Sequence, residues 1–372
     1  MKLTIERAAL LKSLGHVQSV VERRNTIPIL SNVKLTAMDG RLHLNATDMD
    51  LDMVAEVEAD ISAPGSTTAP AHTLYEIVRK LPDGAQVELD ATGDDGQMVL
   101  RAGRSRFSLT CLPTDDFPVM AGGEPTHSFS MAAGEIRALI DRTRFAISTE
   151  ETRYYLNGIY VHAAERDGAA VLRAVATDGH RLASVESPLP EGAAGMPGVI
   201  VPRKAVSELR KLIEDHSDDV DIALSETKIR FTFGGAVLTS KLIDGTFPDY
   251  ERVIPEGNDK HMDVDHRIFG DAVDRVSAIS SEKSRAVKMR LAPGVLTLAA
   301  SSSEHGSATE ELEVAYDGEE IEIGFNARYL LDIAQQIEGD SMRFVLADAA
   351  SPTIIREIDD ASALYVLMPM RV

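Results

Sequence analysis

The sequence predicts an α+β fold made of three tandem copies of one domain. Ala46-Thr47-Asp48 recurs as Ala176-Thr177-Asp178, and Phe117-Pro118 recurs as Phe247-Pro248, both at an offset of 130 residues. Two unrelated echoes at one offset mark a duplication. The stretch between them aligns too, with Leu112 on Leu242 and Thr110 on Ser240. The remainder of the 372 residues then holds one further copy, since roughly 120 to 130 residues is the size of a domain with its own core. Within each copy the apolar period switches between helical and alternating, which predicts antiparallel strands with two helices on one face.

The elements follow in chain order. Leu10, Leu11, Leu14, Val17 and Val21 form the first helical stripe. Asp39-Gly40 is a hairpin turn, after which Leu42 and Leu44 alternate with Arg41, His43 and Asn45. Leu74, Ile77, Val78 and Leu81 sit at i, i+3, i+4 and i+7, behind Pro70 at the helix start. The second copy repeats the scheme with Ile136, Leu139 and Ile140, then with Val206, Leu209, Leu212 and Ile213 behind Pro202. Ile229, Phe231 and Phe233 alternate with Arg230 and Thr232 before Gly234-Gly235 reverses the chain. In the third copy the first stripe is Phe269, Ala272, Val273 and Val276. Pro293-Gly294 then joins a Met289/Leu291 strand to a Leu296/Leu298 strand. Asn326 caps the last helix, whose stripe is Leu330, Ile333, Ala334 and Ile337. Polar turns at Gly122-Gly123-Glu124-Pro125 and Pro255-Glu256-Gly257-Asn258 place the copies at 1–124, 125–257 and 258–372.

Composition narrows the function classes. No apolar run approaches the ~20 residues that span a bilayer, and Met1 to Arg7 has no secretory h-region. Cys111 is the single cysteine, which excludes an internal disulfide and fits a reducing cytoplasm. Aromatics are 5% with no Trp, thin for stacking single-stranded bases. The net charge of −21 argues against a phosphate partner only if it is evenly spread. Six helix windows (6–24, 70–81, 134–147, 202–214, 265–283 and 326–337) carry 17 of the 38 basic and 12 of the 59 acidic residues. They are therefore +5 while the remainder is −26, so the net charge does not exclude DNA.

Catalytic constellations are missing from the sequence. There is no phosphate-binding glycine loop and no HExxH, and Cys111 has no cysteine partner for structural zinc. No cofactor and no metal is expected. Ser280-Ser281-Glu282-Lys283 matches the SxxK of penicillin-recognising enzymes, but no Lys-Thr-Gly follows. Asp178-Gly179-His180-Arg181 offers an acid–histidine pair, yet the equivalent in the first copy is Asp48-Met49-Asp50-Leu51, which favours a structural turn. No catalytic residue is assigned.

Five motifs in one order carry a resemblance: Arg153-Tyr154-Tyr155-Leu156-Asn157-Gly158, Ala176 to Ala183, Val201-Pro202-Arg203-Lys204, Phe247-Pro248-Asp249-Tyr250 and Met368-Pro369-Met370-Arg371. Together they resemble the bacterial DNA sliding clamp, the β subunit of DNA polymerase III, over the whole chain. The resemblance implies a DNA-clamp domain repeated three times and a head-to-tail homodimer closed into a ring, with helices lining the hole and strands outside. It implies a non-catalytic processivity factor that encircles duplex DNA without sequence preference. Its partners would be the replicative polymerase, the clamp loader and repair factors, all bound through short linear motifs.

Residue by residue, the resemblance places the motif-binding groove between the second and third copies. It comprises Leu156, Thr177, Gly179, His180, Arg181, Leu182, Pro248, Arg252, Val253, Asn326, Tyr329, Val366, Met368, Pro369, Met370 and Arg371. Met368 and Met370 would give it an adaptable apolar surface, with Leu182 as a central anchor. DNA contact falls to Arg24, Tyr154, Tyr155, Arg203 and Lys204, while Glu150 and Glu151 stand where some relatives carry a neutral amide. The dimer seam aligns with Phe107 and Leu109, flanked by Arg104 and Arg106, against Ala278 and Ile279 near an acidic stretch of Glu304, Glu310, Glu311 and Glu313. Two other classes stay open at the level of sequence. One is a clamp-like peptide-binding scaffold that does not act on DNA, and the other a serine hydrolase built on Ser280 and Lys283.

Overall fold

The structure, a computed structural model, describes residues 1–93, 96–120, 123–214, 216–280 and 285–371. Gly122 of the first predicted boundary, Ser281, Glu282 and Lys283 of the SxxK match, and Val372 lie outside the described residues. Six α-helices are present among them: α1 (Arg7–Gln18), α2 (Ala71–Lys80), α3 (Ala133–Asp141), α4 (Arg203–Leu212), α5 (His266–Ser277) and α6 (Ala327–Ala334). Each buries most of its predicted stripe, with Leu11, Ile77 and Leu212 half-buried. Leu10, Leu14 and Val17 of α1, Phe269, Ala272 and Val273 of α5, and Leu330 and Ile333 of α6 are fully enclosed.

The helices are shorter than the sequence windows. Ser19 to Arg24 lie beyond α1, and Arg144–Ala146 is a separate 3₁₀ turn after α3. Pro70 is the N-cap of α2, not its first helical residue. Over their observed lengths the six helices hold 12 basic and 7 acidic residues, the same +5. The surplus sits on α1, α2 and α4, because α3 is net −1 and α5 and α6 are neutral.

The chain forms two compact units. The first comprises Met1–Gly134, Pro190–Ala193 and Lys204–Leu242. Its five-stranded antiparallel sheet runs in the order Asp60–Ala63, Lys2–Glu6, Gln86–Asp90, Gln97–Ala102, Ser105–Thr110. Its eight-stranded sheet starts with second-copy strands, the last of them Ala236–Lys241, and continues into the first-copy strands Leu51–Glu58, Arg41–Thr47, Asn32–Met38 and Gly65–Pro70. The join is regular, with Leu238 opposite Met53 and Ala236 opposite Ala55. Helices α1 and α2 pack on each other, and α1 lies over Arg41–Thr47 and Leu51–Glu58.

The second unit comprises Glu135–Leu189, Ala194–Arg203 and Ile243–Val372. Here the second-copy strand Arg181–Pro188 pairs with the third-copy strand Ala363–Leu367, Leu182 facing Val366, inside another eight-stranded sheet. A four-stranded sheet runs Gly306–Glu313, Val295–Ser302, Ala286–Ala292, Ile321–Asn326, and α5 packs on α6. The offset of 130 carries Leu51–Glu58 onto Arg181–Pro188, so both joins use the same strand of the repeat.

The Ala-Thr-Asp echo is one turn made twice. Thr47 Oγ1 donates to the Leu51 carbonyl and accepts from Met49 N, while Asp48 Oδ1 accepts from Asp50 N and Leu51 N. Thr177 and Asp178 repeat every one of these bonds with Arg181, Gly179 and His180. The residue after the Asp is left-handed in both, Met49 at φ 78° and Gly179 at φ 88°. Met49 therefore holds a conformation that disfavours any Cβ. Met49→Gly should raise the thermal unfolding midpoint, worth roughly 0.5–1 kcal/mol of relieved strain. Gly179→Ala should lower it, because φ of 88° strains any residue with a Cβ and that Cβ, 2.6 Å from Arg153 Nη1, would also displace the guanidinium. Calorimetry of the two variants checks both signs.

Candidate functional site

The turn at Thr177 to Arg181 delivers a guanidinium into the junction of the second and third copies. Arg181 is only 8% exposed. Its Nε donates to Asp178 Oδ2 at 3.1 Å, Nη1 to Asp332 Oδ2 of α6 at 2.5 Å, and Nη2 to the Phe145 carbonyl at 2.6 Å. The Tyr329 ring lies 4.2 Å and the Phe145 ring 5.1 Å from its central carbon, so two carboxylates, a carbonyl and two aromatic rings surround the charge. Asp178 spends its carboxylate on Arg181 and on the turn amides, not on the His180 ring. His180 instead stacks over Tyr329 with ring centres 6.4 Å apart. The motif is the structural turn that the repeat favours.

Leu156, Leu182 and Val366 are brought together, but beneath the surface. They share one buried cluster with Val175, Ile200, Phe247 and Tyr250, and Ile254 packs against it. Leu182 is 2% exposed. It is core, so truncating it to Ala would leave a cavity and cost about 2–5 kcal/mol of stability before any ligand is considered. Exposed apolar surface comes from Val253 at 48% and Met368 at 41%, next to exposed Pro248 and Arg252. Met368 is thus no core plug. The tail is held by its backbone: Met368 N donates to the His180 carbonyl at 2.9 Å and Met370 N to the Gly324 carbonyl at 2.8 Å. Pro369 and Met370 are half-buried, and Arg371 is exposed. Asn326 caps α6, its side chain accepting from Arg328 N at 3.0 Å.

Sequence reasoning missed Arg153, whose Nη2 donates to the Asp178 carbonyl at 3.1 Å and whose Nε donates to Glu150 at 2.8 Å. Its place at the head of the Arg-Tyr-Tyr-Leu motif was the available signal. Glu150 is thereby committed to an internal ion pair, and the bond from Arg153 holds its carboxyl below the usual range.

The residues assigned to DNA divide by availability. Arg24 and Arg203 are exposed and, among the described residues, make no ion pair. Lys204 differs, since its Nζ donates to Asp48 and, at 3.1 Å, to Glu22. Burial works against its charge, but these two carboxylates outweigh that and raise its pKa. Lys204 is therefore a structural cation joining α4 to the first copy's turn. Tyr154 is exposed and meets Tyr155 edge-on at 5.8 Å.

At the assigned seam, Phe107 is half-buried and Leu109 buried on the Ser105–Thr110 edge strand. Ala278 is the exposed C-cap of α5, with half-buried Ile279 next to it. Arg104 and Arg106 are exposed, while Glu310 is already bound bidentately by Arg275 at 2.6 and 3.1 Å.

Among the described residues no cluster of His, Cys, Asp and Glu could hold a metal, and no helix is long and apolar enough to cross a membrane. Ser280 Oγ donates to the Ser277 carbonyl at 2.7 Å, at the end of α5. Arg181→Met should cost about 3 kcal/mol, because it strands Asp178 and Asp332. Pairing it with Asp332→Asn should recover part of that loss, and calorimetry of the single and double variants reads the coupling.

Comparison with known proteins agrees with this geometry. Models of the DNA polymerase III beta subunit match the chain in three pieces, the N-terminal domain at residues 1–121, the central domain at 130–249 and the C-terminal domain at 251–371. The beta sliding clamp of Caulobacter vibrioides is 60% identical over 372 residues and all of both chains. A crystal structure of the C. crescentus beta sliding clamp matches with a TM-score of 0.98 at 60% identity, covering 100% of this chain and 99% of that one. A Bartonella birtlesii sliding clamp bound to griselimycin gives 0.97 at 52% identity over all of both chains. With three domain models in order and relatives identical at this level from end to end, the chain belongs to the DNA polymerase III beta subunit family, the bacterial beta sliding clamps.

Proposed function

We propose that this chain acts as a cytoplasmic homodimeric clamp that encircles duplex DNA and tethers the replicative polymerase and other partners to it. Membership of the family makes it a non-catalytic processivity subunit. The observation that carries the ring is the repeated strand join. The last strand of the second copy pairs with the fourth strand of the first, and the last strand of the third with the fourth strand of the second. Continued once more, the rule calls for the last strand of a first copy, Ser105–Thr110, on the third-copy strand Gly306–Glu313. Each of these is the end strand of its sheet, paired on one side only. In the proposed assembly a second chain supplies the partner for each free edge, and a two-fold closes the ring. Arg104 and Arg106 beside one edge and Glu311 and Glu313 on the other favour that pairing and speed encounter more than they tighten it. Ile279→Asp, next to this edge, should yield monomers by light scattering, whereas a persistent dimer would put the seam elsewhere.

The division at 1–124, 125–257 and 258–372 and the groove residues belong to the same proposal. The buried Leu156–Leu182–Val366 cluster supports a floor, and Val253, Met368, Pro248 and Arg252 supply accessible walls for a short partner motif. Removal of Met368 to Val372 should abolish binding of a polymerase-derived peptide while leaving the dimer intact. Unchanged peptide affinity would exclude this groove.

For DNA, Arg24 and Arg203 are the available cations, and Lys204 contributes less because it is paired. Arg24→Ala with Arg203→Ala and Lys204→Ala should reduce open-duplex affinity or loading, yet leave a loaded ring on closed circular DNA nearly as long-lived. Rapid loss from closed circles by a variant that stays dimeric would mean that contact, not topology, retains DNA. A peptide-binding scaffold that ignores DNA would show no retention on closed circles at all.

A further inference from the structure

Pro248, Arg252 and Val253 stand on one short segment, and its anchorage lies outside the groove residues. Phe247 stacks on Tyr160 at 4.8 Å with rings 6° apart, and Tyr160 stacks on His162 at 4.8 Å. Tyr250, in the 3₁₀ turn Tyr250–Val253, meets Phe247 and Tyr160 edge-on. Its hydroxyl ties the stack to polar neighbours on two sides. Arg173 Nη1 donates to it at 2.8 Å, and it lies 2.9 Å from His162 Nε2. His162 Nδ1 lies 3.0 Å from the Ala163 carbonyl, which can only accept, so Nδ1 carries the proton and Nε2 is the acceptor for Tyr250. Donors and acceptors then balance along the chain Arg173, Tyr250, His162, Ala163.

We propose that Tyr250 is a positioning residue for partner binding: its hydroxyl, held between His162 and Arg173, fixes the segment that presents Pro248, Arg252 and Val253 to the bound motif. This deepens the groove reading and rests on it. The chain of bonds requires a neutral imidazole, because a protonated Nε2 no longer accepts the Tyr250 hydroxyl proton, which then loses its acceptor. The charged groups facing His162 are Arg173 itself, Glu186 and Glu251, both bound to Arg173 at 2.8 Å, with Arg166 behind Glu186 at 3.2 Å. Burial lowers the pKa of His162 below 6.5, and the Arg173 charge adds to that against the opposing pull of Ala163, Glu251 and Glu186. A depressed histidine favours the assembled wall above its ordinary value, and that contribution is lost as pH falls through the lowered one.

The test is titration of the dimer with a labelled replicative-polymerase peptide at about pH 7.5 and about pH 5.5, bracketing histidine. Tyr250→Phe keeps the ring stack and should weaken the peptide by roughly tenfold at the higher pH. His162→Gln keeps an acceptor for Tyr250 but does not titrate. It also loses the ring that stacks on Tyr160, so the readout is each protein's own ratio of affinities at the two pH values, and His162→Gln should lose less affinity than the wild type on acidification. His180 is a second histidine on this face, and it is retained in both proteins, so their difference isolates His162. Unaltered binding by Tyr250→Phe, or a His162→Gln profile that overlays the wild type, overturns the positioning role. In either case the tail deletion still abolishes binding if the groove itself is sound, and indifference to that deletion as well would mean that the groove reading has failed.

Discussion

The enclosed guanidinium of Arg181 is the constraint on which the second unit depends. A charge at 8% exposure is tolerable only when every donor is matched. Here the matches come from both copies, Asp178 and Phe145 from the second, Asp332 and Tyr329 from the third. The turn that presents Arg181 needs Thr177 and Asp178 for its hydrogen bonds and Gly179 for its left-handed backbone. The strand that begins at Arg181 pairs with Ala169–Thr177 on one side and receives Ala363–Leu367 on the other. Turn and sheet join therefore share one local conformation, and the proposed groove is built on it.

The first join shows what the repeat holds constant and what it lets vary. Asp48 sits in the same turn as Asp178, but where Asp178 binds Arg181 of its own turn, Asp48 binds a cation at the start of the next copy's second helix, Lys204 of α4. The charge relation is reversed at the second join, where the cation stands in the turn and the carboxylate, Asp332, on α6. After the joining strand the paths also differ. Beyond Ala236–Lys241 the chain goes on through Ile243 to Phe247 and Pro248, whereas beyond Ala363–Leu367 it turns so that Met370 bonds Gly324. The two joins share a strand register, and only the second adds the exposed Met368 beside His180.

Most of the fold was legible in the sequence because periodicity reports which face of an element is buried. Leu42 and Leu44, or Ile229, Phe231 and Phe233, point inward as their alternation requires. The turns were legible for a similar local reason, and Asp39, Gly40, Gly234, Gly235 and Gly294 all take positive φ. The site was less legible. Leu182 and Met368 are both apolar members of motif runs, yet one is core and the other exposed, and nothing within a few residues of either distinguishes them. Lys204 reads as a free cation until Asp48 and Glu22, far away in sequence, are placed beside it. Helix ends were overestimated because apolar residues continue past the last hydrogen-bonded turn, as Val20 and Val21 do after α1.

The charge distribution fits a protein that must hold DNA without gripping it. Each neutralised phosphate steepens the salt dependence of binding by roughly one logarithmic unit per decade and adds affinity, so a helical surface rich in free cations would stall movement along the duplex. The six helices carry a surplus of only five charges, concentrated on α1, α2 and α4. Part of even that is withdrawn, since Arg7 is bound to Asp83 at 2.6 Å and Lys204 to Asp48 and Glu22. What remains attracts a polyanion over about a Debye length but fixes none of its phosphates in register. Such a surface cannot by itself retain DNA, and this is the reason the proposed function puts retention in ring closure and leaves the basic surface only the encounter.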